Sequence, residues 1–190
     1  MTVTILGLKH SVKFLDVRVA WWFEDCSKRS NLGSGSGRGQ PRCRGRASTR
    51  WFPARGHFAP PSLESALSSL LAGKLANQAM TASALECLID DALIDPDIRD
   101  AVLCDLQAVV TRDPATLGYT QPLLYFKGFQ SIQSYRIAHH YWELGHKPLA
   151  LFLQSRISEV FAVDIHPGAK IGRGIMFDHA TSVVIGETAV

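Results

Sequence analysis

The chain has 190 residues, of which 46% are hydrophobic and 19% charged. That is apolar material for one ordinary domain or two small ones, and it excludes a wholly disordered or collagen-like protein. The formal net charge of +3 hides a division: residues 1–60 carry 11 Lys/Arg against 3 Asp/Glu (+8), and residues 61–190 carry 9 against 14 (−5). Phosphate binding needs clustered positive charge, so the second part does not read as a nucleic-acid surface.

Taken in chain order, Ile5–Phe23 is apolar but interrupted by Lys9, Lys13, Asp16 and Arg18, and it lacks the unbroken core of a secretory signal. From Ser27 to Phe58 there are eight basic residues and no acidic one, around the run GSGSGRGQPRCRGR. Such a segment buries too little apolar surface to offset backbone entropy, so residues 1–61 read as a basic, Gly/Ser/Arg-rich disordered extension. Three roles stay open for it: a plastid or mitochondrial transit peptide, an RNA-binding arm on Arg38–Arg55, or an extension without function. No run reaches the roughly 18 apolar residues of a membrane span, so no membrane partner is expected. Cys26, Cys43, Cys87 and Cys104 lack CxxC spacing, so they read as reduced thiols and no metal is expected.

After Pro60-Pro61 the pattern turns helical. Leu63, Leu67, Leu70, Leu71 and Leu75 form one stripe at helical spacing. Ser83 with Glu86 makes a capping-box pattern ahead of Leu85, Leu88, Ile89 and Leu93. Asp95-Pro96 supplies an N-cap and a first-turn proline for a third helix through Ile98, Val102, Leu106 and Val109. Thr120 and Pro122 open a fourth, continuous to the neighbourhood of Tyr141, Gly145 ends it, and Pro148–Phe161 forms a fifth. Stripes of this kind build cores and carry no chemistry by themselves.

At Val163 the period changes to six: Ile165, Ile171, Phe177 and Val183 head the units IHPGAK, IGRGIM, FDHATS and VVIGET, and Ala189 follows at the same spacing. An apolar residue every six positions among glycines and small residues is the hexapeptide pattern of a parallel β-helix, three units to an 18-residue coil. The pattern covers little more than one coil, and a natural end at Val190, inside a repeat, is not expected. The fold class expected is therefore α+β: a helical domain over 62–162, then the start of a left-handed parallel β-helix over 163–190.

RDPA, LLYFKGF, QSYRIAH, VDIHPGAKIGRGI and DHAT follow one another in order between Arg112 and Thr181. On these motifs the chain resembles the serine O-acetyltransferases over about 125 of its 190 residues, from near Ser65 onward. The resemblance implies acetyl transfer from acetyl-CoA to the hydroxyl of L-serine, in cysteine biosynthesis. It also implies a β-helix that trimerises, trimers paired through the helical domains, a site at the seam between subunits and a cytoplasmic location.

The chemistry fits residue types. A serine hydroxyl is a poor nucleophile at neutral pH, so attack on a thioester needs a base. A histidine suits that task, with a carboxylate to fix its tautomer and stabilise the imidazolium. By resemblance, His179 in DHAT is the base and Asp164 in VDIHP its orienting partner, 15 residues earlier. Asp113 in TRDP and Asp178 match positions that hold the substrate ammonium. Read without the family, His179 with Asp178 is an ordinary hydrogen-bonded pair, and Asp113 is a turn or helix cap. His139, His140 and His146 read as helix-surface or helix-end residues, and His166 as a turn residue.

Three departures from the family stand out. The later coils, which in the family bind CoA and supply an Arg-His pair for the serine carboxylate, do not occur before Val190. Neither does the tail by which many members bind O-acetylserine sulfhydrylase. The chain by itself is therefore expected to be inactive, its CoA site lying beyond Val190, and acetyl-CoA is a co-substrate with no resident cofactor. The first helices of the family's N-terminal domain are not recognisable in residues 1–62, which puts the pairing of trimers in doubt. Ser182 replaces the glycine that usually follows DHAT, a costly exchange if the backbone there needs positive φ. Two rival readings remain. One is a non-catalytic helical oligomerisation module. The other is a γ-type carbonic anhydrase, for which His166 and His179 lack a third histidine.

Overall fold

The computed structural model describes residues 62–190. The chain divides into two units, Met1–Gly39 and Gln40–Val190, and every described residue belongs to the second. The expectations for the basic extension lie outside the described residues. Among the described residues six helices come first: α1 Leu63–Leu75, α2 Ala82–Ala92, α3 Pro96–Arg112, α4 Thr120–Tyr125, α5 Lys127–Glu143 and α6 Lys147–Phe161. Two three-residue strands follow, β1 Val163–Ile165 and β2 Val183–Ile185.

The first helix forms where its stripe predicts, with Ser62 as N-cap accepting from the Ser65 N–H at 3.2 Å. Leu63, Leu67, Leu71 and Leu75 are buried, and α1 packs on α2 through Leu85 and Ile89. The cap of α2 is Thr81, not the expected Ser83: its Oγ1 accepts from the Ala84 N–H at 3.3 Å. Glu86 is not free to close a capping box, because its carboxylate takes a hydrogen bond from the Ser69 hydroxyl of α1. Tertiary pairing outweighed the local pattern. Asp95 and Pro96 start α3 as expected, with Asp95 Oδ1 accepting from the Asp97 N–H at 2.9 Å.

The expected fourth helix is two. Phe126 adopts extended backbone (φ −84°, ψ 104°) and separates α4 from α5. Gln130 of α5 compensates by donating its Nε2 to the Leu123 carbonyl at 2.9 Å, a group the break leaves without a helical partner. α5 is the centre of the unit, with every side chain from Phe129 to Ala138 buried, polar ones included. Among the described helices α5 and α6 pack most extensively, joined through Gly145 at φ +82°. Arg156 of α6 ties back to the end of α1, donating from Nε to the Leu75 carbonyl at 2.8 Å.

Ala162, left-handed at φ +54°, ends α6 and turns the chain into β1. β1 and β2 pair in parallel with Val163 opposite Val183 and Ile165 opposite Ile185. The strands thus stand 20 residues apart in register, not the 18 that a strict six-residue period requires. The interval contains a tight loop around His179, where three of the four positive-φ non-glycine residues among the described residues occur. That loop takes up the additional length.

Candidate functional site

Asp178–Ser182 forms the loop that precedes β2. The Ala180 N–H reaches the Asp178 carbonyl, a three-residue turn centred on His179 at φ +51°. Ala180 (φ +54°) and Ser182 (φ +63°) follow in the same left-handed region. An L-residue there costs about 1–2 kcal/mol, so this geometry persists only where its surroundings impose it. It turns the His179 side chain outward, 93% exposed, with Nε2 3.6 Å from Asp178 Oδ1. Ser182 has the positive φ that makes its replacement of glycine costly.

The loop is held from three sides. The Ser182 N–H donates to the Ala162 carbonyl at 2.8 Å, fixing it to the end of α6. Lys127 Nζ donates to Thr181 Oγ1 at 2.6 Å. Beside Lys127, Gly128 lets the α5 backbone meet the loop: a Cβ added there would lie 2.0 Å from the Phe177 carbonyl oxygen.

The segment before the loop is held by a buried network. Asp105 of α3, fully buried, accepts through Oδ2 from Arg136 Nε at 2.8 Å and Gln133 Nε2 at 3.0 Å. Its Oδ1 accepts from the Ile175 N–H at 2.8 Å. Arg136 continues to the Gly172 carbonyl at 2.7 Å, and Arg112 donates to the Gly174 carbonyl at 2.8 Å. The Tyr135 hydroxyl donates to the Ala169 carbonyl, and burial raises its pKa above the usual tyrosine value. His139, expected as a surface or helix-end residue, is half-buried, and His166 opens a turn as expected, its carbonyl accepting from the Ala169 N–H at 3.0 Å; both hold this side too. His139 Nδ1 lies 2.7 Å from the Pro167 carbonyl, and His166 stands edge-on to Trp142 at 4.9 Å.

The four expected site residues are thus distributed. Asp178 and His179 share the exposed loop. Asp164 lies at the centre of β1, half-buried, and its Oδ1 accepts from Gln154 Nε2 of α6 at 2.7 Å. Asp113 caps the end of α3, its Oδ1 accepting from the Ala115 N–H at 2.8 Å, so the turn-cap reading of this residue is realised. The structure brings Asp178 to His179; it gives Asp164 and Asp113 other partners. Lys127, Gly128 and Gln154 carried no functional signal beyond one: a glycine in the first turn of a helix costs about 1 kcal/mol relative to alanine and asks for a packing reason. No group of three or more His, Cys, Asp or Glu able to hold a metal ion occurs among the described residues.

Comparison with known proteins places this architecture. Residues 56–134 match the family model of the serine acetyltransferase N-terminal domain. A serine acetyltransferase of Salmonella typhimurium is 55% identical over 130 residues, covering 68% of this chain and 48% of that protein. A solved serine acetyltransferase in complex with CoA aligns with a TM-score of 0.65 at 57% identity, covering 67% of this chain and 54% of the other. A soybean serine acetyltransferase complexed with serine aligns with a TM-score of 0.66 at 50% identity, over 67% and 53%. The chain spans about half the length of the curated relatives it matches.

Proposed function

We propose, for a chain that belongs to the serine acetyltransferase family, that it transfers the acetyl group of acetyl-CoA to the hydroxyl of L-serine, with His179 as general base. The observation that carries the reading is the strained, anchored loop that presents an exposed imidazole beside a carboxylate. Holding one side chain outward on left-handed backbone has a cost, and a functional group justifies it better than a surface turn does.

In this reading His179 takes the hydroxyl proton as the serine oxygen attacks the thioester carbonyl. The tetrahedral adduct collapses with release of the CoA thiolate, which receives that proton from the imidazolium. Acetyl ester and free thiol result, and the base is restored. Asp178 and Asp113 supply negative charge for the substrate ammonium. Asp164 orients His179, either after exchanging its Gln154 partner or across a seam between subunits. A seam is favoured because the four residues stand on three separate elements of one chain. No residue of this chain is assigned to the acetyl-CoA.

The domain division belongs to the same proposal: extension 1–61, helical domain 62–162 and, from 163, the first coil of a left-handed β-helix with β1 and β2 as successive rungs. Assembly in trimers follows from that coil. No helix among the described residues is long and apolar enough to cross a membrane, and a cytoplasmic location is the family expectation. The dispersal of the site residues also favours a second reading, a non-catalytic helical module that joins longer subunits.

The test is serine-dependent release of CoA thiol from acetyl-CoA. It is measured on the protein alone and after co-assembly with a full-length serine acetyltransferase lacking its own catalytic histidine. Activity that falls by about 10²–10⁴-fold in His179→Ala supports the base assignment. Absence of serine-dependent thiol in both preparations leaves the non-catalytic reading.

A further inference from the structure

We propose that the first turn of α5 is the seat that positions the His179 imidazole, with Lys127 and Gly128 as positioning residues. The catalytic consequence rests on the function proposed above; the seat itself rests on contacts. Residues 179, 180 and 182 hold left-handed backbone, which an unsupported loop of L-residues does not keep. The fixed point next to His179 on its C-terminal side is Thr181, bonded to Lys127 at 2.6 Å. On its N-terminal side it is the Phe177 carbonyl, which packs against Gly128 so closely that no Cβ fits between them. Both contacts come from consecutive residues of one helix, and that helix is immobilised by the Asp105–Arg136 pair and the burial of Phe129 through Ala138. The exposed histidine is therefore carried on a loop clamped at both shoulders, while its own side chain stands out beside Asp178.

Lys127 touches no reacting atom, so its effect is on the placement of the base. Misplacement of a catalytic group by about 1 Å costs on the order of 10²-fold. Lys127→Met and Thr181→Val each remove the hydrogen bond at nearly constant volume; Thr181→Ser keeps the hydroxyl. Two readouts are combined. The backbone order parameter S², from ¹⁵N relaxation at residues 178–182, is expected to fall from the rigid range of ~0.85 toward ~0.6 in Lys127→Met and Thr181→Val and to stay rigid in Thr181→Ser. In the acetyl-transfer assay, kcat is expected to fall roughly 10- to 100-fold in the same two variants. Serine KM should change little, thermal midpoints should stay unaltered, and the double variant should be no worse than either single one.

Unchanged loop order in Lys127→Met overturns the proposal, as does full additivity of the two losses. A loosened loop in a protein whose His179→Ala variant loses no activity supports the seat and defeats the function proposed above, so the two failures are distinguishable.

Discussion

The helical unit and the segment from Val163 onward are stabilised in opposite ways. In α1, α2, α3, α5 and α6 the interior is supplied by Leu67, Leu71, Leu85, Ile89, Leu106, Ile132, Leu153 and Ile157, all almost fully buried. Burying such a side chain is worth about 1.5–3 kcal/mol, so these helices are held by their own apolar stripes. The C-terminal segment has as buried apolar residues only Val163, Ile165, Pro167, Ala169 and Ala180 among residues 163–190, most of them small. Its carbonyls and amides are instead held by polar side chains of the helices: Tyr135 at Ala169, Arg136 at Gly172, Arg112 at Gly174 and Asp105 at Ile175. A loop with little core takes its order from a neighbour that has plenty, and that is where an exposed reactive group can be kept in a fixed place.

Replacing Asp105 by alanine attacks the difference most directly. It leaves Arg136 buried without its counter-charge and the Ile175 N–H without its acceptor. Removing one partner of such a pair costs about 3–5 kcal/mol, and chemical denaturation is expected to show a loss in that range. Next is Gly128→Ala. An alanine is a better helix former by about 1 kcal/mol, but its methyl would overlap the Phe177 carbonyl oxygen. Overpacking of this kind costs about 1–3 kcal/mol, so net destabilisation with altered amide shifts at residues 177–182 is expected. Stabilisation instead would show that the two backbones are not in contact.

Ser182→Gly tests the strain itself. Relief of the left-handed penalty is partly offset by the greater freedom of glycine in the unfolded chain, leaving a gain of about 0.5–1 kcal/mol in denaturant unfolding. The smallest effect belongs to the helical unit. Asp90 has its pKa raised above 3.8, chiefly by burial, against a lowering hydrogen bond from Ser68 and with a further rise from Glu86 one turn away. The folded state thus binds this proton more tightly than the unfolded chain, so the stabilisation is present at acid pH and is lost as pH rises through the raised value. Asp90→Asn should remove that slope and stabilise the neutral protein by about 0.2–0.5 kcal/mol, the scale of a like-charge pair at this spacing. Thermal melts at pH 4 and pH 7 measure both.

How much of this was legible follows from how local each cause is. The Leu63–Leu75 stripe, the Asp95-Pro96 start and the Gly145 stop act within one or two turns, and all three are realised. The capping box at Ser83 failed because Glu86 found a partner 17 residues earlier in sequence. The single fourth helix failed because Phe126 opens the chain just before Gly128 has to meet Phe177. The motif order identified the family and, by resemblance, led to the proposal of His179 as base, whereas nothing in the spacing of 15 residues foretold that Asp164 would be bonded to Gln154.

The sequence by itself thus determined the helical stripes, the change of period at Val163 and the family. Each is written in residue types that repeat or follow in order along the chain. Tertiary structure decided the 20-residue register between β1 and β2, the left-handed turn at His179 and the seat beneath it. The reason is physical: those features depend on buried polar side chains and a glycine reaching across 28 to 70 residues of chain, where no local propensity acts and only packing selects the partner.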